Sequence, residues 1–294
     1  MKQTLSNDLL TVTIDTMGAE LQSIVDNRTK YEYLWHGDAR FWDRRSPVLF
    51  PIVGSVWEGR YKMDGVEYQL GQHGFARDCE FEIMTDVPEN EAWFSLEYND
   101  STLEKYPRRF RLEIGYALND DRLTVKWRVK NLDDRVMDFQ IGAHPAFNYP
   151  AFSASDDVHG YLLFDNRGEM STQLLKEKGC VGYDEMKVEV DSEGMIPVTA
   201  TTFDINTIVL ADNQVHRVSL LDKERRPYLS VFFDAPVVGI WSPAPDAPFV
   251  CIEPWYGRCD RADYTGEFSE REYVEHLNPG QVFETSYLVV FDSL

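Results

Sequence analysis

The chain has 294 residues, 43% of them hydrophobic and 13% aromatic, which excludes a disordered polymer and suffices to bury a large core. Fifty acidic residues against 29 basic ones leave a net charge of −21, a surface that repels nucleic acid and solvates the protein without naming a substrate. The richest apolar run, Tyr228 to Trp241, is broken by Asp234 and Pro236 and is too short to span a bilayer.

The dominant period along the chain is two. From the N-terminus, Leu10, Val12 and Ile14 alternate with Thr11, Thr13 and Asp15, the signature of a strand with one buried face. Asp64-Gly65 marks a tight turn. Segment 101–107 predicts a short helix, with Ser101 as N-cap, Glu104 completing a capping box and Pro107 ending it. Phe110, Leu112, Ile114 and Tyr116 resume the alternation, the turn Asn119-Asp120-Asp121 follows, and Leu123, Val125, Trp127 and Val129 make its return. The turn residues Asn131 to Asp134 close that strand. Segment 169–178 reads as a second short helix, and Asn278-Pro279-Gly280 as a late turn. No repeat, low-complexity linker or βα alternation appears, so one all-β domain over 1–294 is expected. A large antiparallel β-sandwich is the leading architecture, with a closed barrel as the alternative.

The first fifteen residues are polar and then alternating, without the apolar core of a secretory signal. The four cysteines, Cys79, Cys180, Cys251 and Cys259, include no Cys-x-x-Cys pair. Reduced thiols in a cytoplasmic protein, with no membrane or nucleic-acid partner, is the simplest expectation.

Three places break the alternation with groups of high chemical value: Gly71 to Asp78 around His73, Gly142 to Asn148 around His144, and Cys251 to Arg258 around Glu253. In each, Gly or Pro neighbours fix the backbone. A single such His or Glu is more often a structural hydrogen-bond partner than a catalyst. Together, one carboxylate and two imidazoles in rigid frames make a general acid–base set. Short-spaced metal ligands, a Gly-x-Ser-x-Gly elbow and phosphate-binding glycine loops are all absent from the sequence, so no metal and no cofactor is expected. His36, His159, His216 and His276 lie in polar surroundings and read as surface or structural residues.

At these places the chain resembles the aldose 1-epimerase (galactose mutarotase) family. The likeness extends from Gly18 to Ser23, through Glu58 to Leu70 and Tyr106 to Asn131, to the signature Gly142-Ala143-His144-Pro145-Ala146-Phe147-Asn148. The resemblance implies a twisted β-sandwich, the galactose mutarotase-like supersandwich, with the sugar on its concave face. It implies Glu253 as the base on the anomeric hydroxyl, His144 as the acid on the ring oxygen, and His73 as an assisting, sugar-binding residue. Asp204 is the leading match for the family's substrate-binding Asp, with Asn206 as the alternative, and Trp241 is counted with the substrate-binding residues.

The chain departs from the better-known members where Ser55-Val56-Trp57 replaces an Asn-Arg pair after Gly54. Arg44-Arg45 before Pro47 and Arg77 after His73 resemble instead the branch encoded with bacterial lactose and galactose utilisation, and the hexose-6-phosphate 1-epimerases. Arg45 and Arg77 are therefore expected at the cleft rim, against sugar hydroxyls or a phosphate. The implied activity is anomer exchange on a free hexose, with a hexose phosphate second and a homodimer left open. The rivals are glycoside hydrolysis, with Glu253 and Asp204 as its two carboxylates, and a non-catalytic sugar-binding sandwich.

Overall fold

The computed structural model describes residues 1–292. Its frame is two large sheets in which every ladder between strands is antiparallel. The first runs, in spatial order, Met195–Val198, Gly160–Phe164, Arg217–Leu221, Pro227–Phe233, Val282–Phe291, Arg122–Asn131, Phe110–Asn119, Glu91–Glu97 and Glu82–Ile83. It has two free ends, so the sandwich expectation holds and the closed barrel does not. The second sheet runs Thr207–Leu210, Val237–Trp241, Phe249–Tyr256, Ile141–Ala143 and Val48–Leu49, with Ala146–Asn148 also paired to Phe249–Tyr256. A three-stranded sheet of Lys2–Ser6, Leu10–Asp15 and Leu21–Asp26 stands beside them.

The expected strands are present, and their alternation is the reason. Leu10–Asp15 and Arg122–Asn131 bury every second side chain. Arg122 pairs with Asn119 across the predicted turn. Asp64 and Gly65, both at positive φ, join Arg60–Met63 to Val66–Gln69 in a two-residue hairpin loop.

Two local expectations are corrected. The short helix is Asp100–Leu103, and its cap is Asn99 rather than Ser101. Asn99 Oδ1 accepts the Thr102 N–H at 3.1 Å and Thr102 Oγ1 accepts the Asn99 N–H at 2.9 Å, so Thr102 rather than Glu104 completes the capping box. Segment 169–178 is not a helix: Met170–Leu175 is a strand paired with Val181–Val188, and a single 3₁₀ turn follows at Glu177–Gly179. Tertiary contacts outweigh propensity there. Thr172 Oγ1 accepts the Val209 N–H at 2.7 Å, and Gln173 Oε1 accepts from Arg258 at 2.6 Å.

Strand Phe249–Tyr256 is buried along nearly its whole length. Val250 and Ile252 enter the main core with Ile240, Leu112, Ile114 and Val125. Cys251 and Trp255 point to the other face, into separate small clusters. Glu253 shares the parity of these two, so the period of two carries it to the face away from the main core. Trp255 can lie across this face because two neighbours are glycine. A Cβ on Gly239 would stand 2.4 Å from its ring, and one on Gly142 2.7 Å. No helix among the described residues is long and apolar enough to cross a membrane.

Gly239→Ala should therefore displace Trp255 and lower stability by about 1–3 kcal/mol, the range for overpacking a filled site. Thermal and urea denaturation of the variant check this. An unchanged midpoint would mean that the indole relaxes freely.

Candidate active site

Each of the three polar breaks is held by backbone bonds. His144 sits where two short strands, Ile141–Ala143 and Ala146–Asn148, meet on the same partner strand. Gly142 pairs with Trp255 and Ala146 with Cys251, so His144 falls beside Glu253. Pro145, which has no N–H to give, accepts the Ile252 N–H through its carbonyl at 3.3 Å. His73 has φ of 65° and is tied to segment 50–54. Its N–H donates to Gly54 O at 2.8 Å, and its carbonyl accepts the Phe50 N–H at 3.2 Å. Phe50 is anchored in turn among Phe75, Tyr106, Phe110 and Phe139.

The three side chains converge. Nε2 of His144 lies 3.2 Å from Oε2 of Glu253, and the His73 and His144 ring centroids are 5.5 Å apart at 89°. Glu253 is 1% exposed, His73 7% and His144 8%. Trp42 stacks on the His144 ring at 4.7 Å, and Trp241 meets it edge-on at 5.5 Å. All five residues line one cavity of about 370 Å³, with Gln72, Arg77, Lys176, Asn206 and Trp255 also on its walls.

The burial of these side chains sets their charges. Burial pushes the Glu253 carboxyl well above its usual range, while the Trp255 indole N–H, short of a standard hydrogen bond, acts the other way. Burial pushes His144 down to about 3, and the guanidinium groups of Arg77 and Arg44 add to the effect. His73 is driven low by burial and by its neighbour His144. Its Nδ1 accepts the Gly54 N–H at 3.0 Å, which leaves the proton of a neutral ring on Nε2. Both shifts favour the uncharged forms, an acid beside a neutral imidazole, which is one proton on the pair. That proton count is the same for acid plus imidazole as for carboxylate plus imidazolium.

The remaining expected residues divide. Trp241, Arg77 and Asn206 line the cavity. Arg77 donates to Gln72 O at 2.8 Å, and its buried Nε has no hydrogen bond and stands 4.0 Å from Asp78 Oδ2. Asp204 is exposed and outside the lining, so Asn206 is the residue this loop brings to the cavity. Arg45 is also outside the lining: its guanidinium bonds Gln22, and its N–H donates to Glu20 Oε1 at 2.9 Å. Those two residues come from the strand Leu21–Asp26 and the turn before it, contacts that the linear spacing to Pro47 did not reveal. Arg44, its neighbour, pairs with Asp78 at 2.8 Å. Trp42 and Lys176 were missed. An indole stranded among the charges of Asp38 to Arg45 was a signal for the first, whereas nothing in the sequence marked Lys176.

Among the lining residues Glu253 is the one carboxylate, so the second carboxylate of a glycoside hydrolase is not in this cavity. Of the other histidines, His159 is buried, with Nε2 3.0 Å from Pro245 O, and His276 meets Asp138 at 2.6 Å.

Because burial raises the Glu253 carboxyl above its ordinary value of 4.5, at which the unfolded carboxyl ionises, stability is lost as pH rises above that value. Glu253→Gln removes that loss. It should melt above the wild type at about pH 8, with a gap that narrows toward about pH 5.5. A variant that melts lower at the higher pH would show that the carboxylate is stabilised as an ion.

The aldose 1-epimerase family model matches residues 1–284. Protein LacX, chromosomal, from Lactococcus lactis subsp. lactis is 30% identical over 292 residues, covering 96% of this chain and 97% of that protein. A galactose mutarotase related enzyme from Lactobacillus acidophilus is 31% identical, with a TM-score of 0.92 over 100% of this chain and 98% of that one. A galactose mutarotase-like protein from Lactobacillus casei is 29% identical, with a TM-score of 0.93 over 99% and 100%. With a match that spans nearly its whole length, the chain belongs to the aldose 1-epimerase family.

Proposed function

We propose that the protein interconverts the α and β anomers of a free hexose by general acid–base ring opening. The observation that carries this reading is the dry contact of Glu253 with His144 at 3.2 Å on the wall of a sugar-sized cavity. In its ionic form the pair has a base and an acid side by side. Glu253 takes the proton of the anomeric hydroxyl, the C1–O5 electron pair goes to O5, and His144 gives O5 its proton. The open aldehyde then turns about C1–C2. Closure reverses the transfers: the C5 hydroxyl attacks C1 and returns its proton to His144, while Glu253 reprotonates O1.

The environment favours this traffic. Opening turns carboxylate and imidazolium into acid and imidazole, the uncharged form that burial prefers. His73, neutral and with Nε2–H free, is suited to donate to a sugar oxygen. Trp42 and Trp241 offer faces for the apolar side of a pyranose and exclude water from the pair.

Arg77 and Lys176 favour a second reading, a hexose phosphate, because both line the cavity of an otherwise acidic protein. Lys176 is already paired with Asp184 at 3.0 Å and Arg77 bonds Gln72, which supports the neutral sugar as the first choice. Anomer exchange of glucose and galactose against their 6-phosphates, in wild type and Arg77→Ala, separates the two. A phosphate preference that disappears in the variant would reverse the order.

Glu253→Gln and His144→Ala should each lower kcat/KM for anomer exchange by roughly a hundredfold to ten-thousandfold, while His73→Ala acts mainly on KM. Polarimetry of freshly dissolved α-hexose measures this, and wild-type rates in Glu253→Gln would show that Glu253 is not the base. A neutral one-proton pair also predicts a rate that is flat across about pH 6.5, where a free imidazole titrates. The acid limb should appear only toward about 3, where His144 accepts a second proton. A half-maximal rate near the free imidazole value would contradict the buried-pair account.

A further inference from the structure

The face that carries Glu253 also carries Cys251, two residues earlier on the same strand. The Cys251 sulfur, an imidazole nitrogen of His144 and a carboxylate oxygen of Glu253 all lie within 4.8 Å of one another, and all three residues are buried. Cys251 pairs across the ladders with Trp241 on one side and Ala146 on the other, so the backbone around it is fixed. Thiolate, imidazole and carboxylate are the three donor types zinc takes, and three protein ligands with one open position is its usual arrangement at reactive sites. Two of the three donors, His144 and Glu253, line the cavity, which gives an ion and a fourth ligand their way in.

We propose that Cys251, His144 and Glu253 form an inhibitory site for a thiophilic divalent cation such as Zn²⁺, which occupies the catalytic pair in competition with the sugar. The inference concerns a state in which the proposed epimerase is switched off; the metal takes no part in the reaction itself. Zinc–ligand bonds of about 2.0–2.3 Å place tetrahedral donors about 3.5 Å apart, so a trio lying within 4.8 Å needs closing by about 1.3 Å at most. The histidine–glutamate pair already stands at 3.2 Å. Binding releases the thiol proton and the proton shared by the pair to solvent. Zinc, thiolate, carboxylate and neutral imidazole then sum to zero charge, as a dry pocket requires. Cysteine at this position selects zinc, cadmium or cobalt over magnesium and calcium, which prefer all-oxygen sites.

The test begins with chelator-treated, metal-free protein. Anomer exchange by this form tests the epimerase reading alone: full activity supports it, and activity restored only by metal would overturn both the metal-free mechanism and the inhibitory role. Equilibrium titration with Co²⁺ tests the site without reference to activity. One equivalent should produce thiolate-to-cobalt charge-transfer absorption, absent in Cys251→Ala. Zn²⁺ should displace the cobalt, inhibit exchange competitively with the hexose, and be reversed by chelator. Cys251→Ala and Cys251→Ser should weaken zinc inhibition by about a hundredfold or more, since even outer-shell changes weaken metal sites tenfold to a hundredfold. Mg²⁺ should have no effect. Cys259 also lines the cavity, so Cys259→Ser serves as control and should keep the absorption band. No charge-transfer band in the wild type, or zinc inhibition unchanged in Cys251→Ala, would overturn the proposal.

Discussion

The contact between Glu253 and His144 is the constraint that the surrounding structure serves. A carboxyl group and an imidazole, both buried, are stable together only if their joint charge stays near zero. Burial moves the pair toward that condition, one proton between the two groups, because it raises the carboxyl and lowers the imidazole. The same proton count permits a reversible acid–base cycle, because one residue gains a proton as the other loses it. A wetter site would let each group titrate separately near its usual pKa. Depth thus defines the chemistry as much as residue identity does.

That depth is a product of sheet geometry. Phe249–Tyr256 is an inner strand flanked on both edges by partners. Its even-numbered Val250 and Ile252 hold the sheet to the main core, and on its opposite face Glu253 and Trp255 line the cavity. Gly142 and Gly239 on the flanking strands leave room for the Trp255 indole, so the floor of the site is packed rather than hollow. Around this floor, three segments from distant parts of the chain deliver His73, His144 and Trp42. Each is anchored by backbone hydrogen bonds, core aromatics or an indole bond, such as Trp35 Nε1 to Trp42 O at 2.8 Å. Preorganisation of this kind places proton donors and acceptors before substrate arrives.

Electrostatics separates surface from site. The protein carries a net charge of −21, yet the cavity lining has a single carboxyl group, two imidazoles and the cations of Arg77 and Lys176. Other carboxylates near the rim are engaged at the surface, as with Asp78 held by Arg44 and Asp184 by Lys176. The acidic surface therefore acts on solubility, while the pocket presents a locally neutral to positive environment to a ligand.

Alternation along Leu10–Asp15, Phe110–Asn119 and Arg122–Asn131 was enough to establish an all-β antiparallel fold, because a half-buried strand leaves its period in the residue order. The Gly and Pro frames around His73, His144 and Glu253 marked those three as a set, since rigid backbone next to an ionisable group stands out against alternation. Other features depended on contacts remote in sequence. Arg45 and Asp204 turned away from the cavity because Glu20 and Gln22 capture the first and the second lies exposed on its loop. Segment 169–178 became a strand because Thr172 and Gln173 found partners at Val209 and Arg258. Lys176 at the cavity and the nearness of Cys251 to His144 emerged only once strands far apart in the chain were laid side by side. A residue's own pattern determines which face of a strand it occupies; which other residues share that face, and how dry it becomes, is decided by the pairing of whole strands.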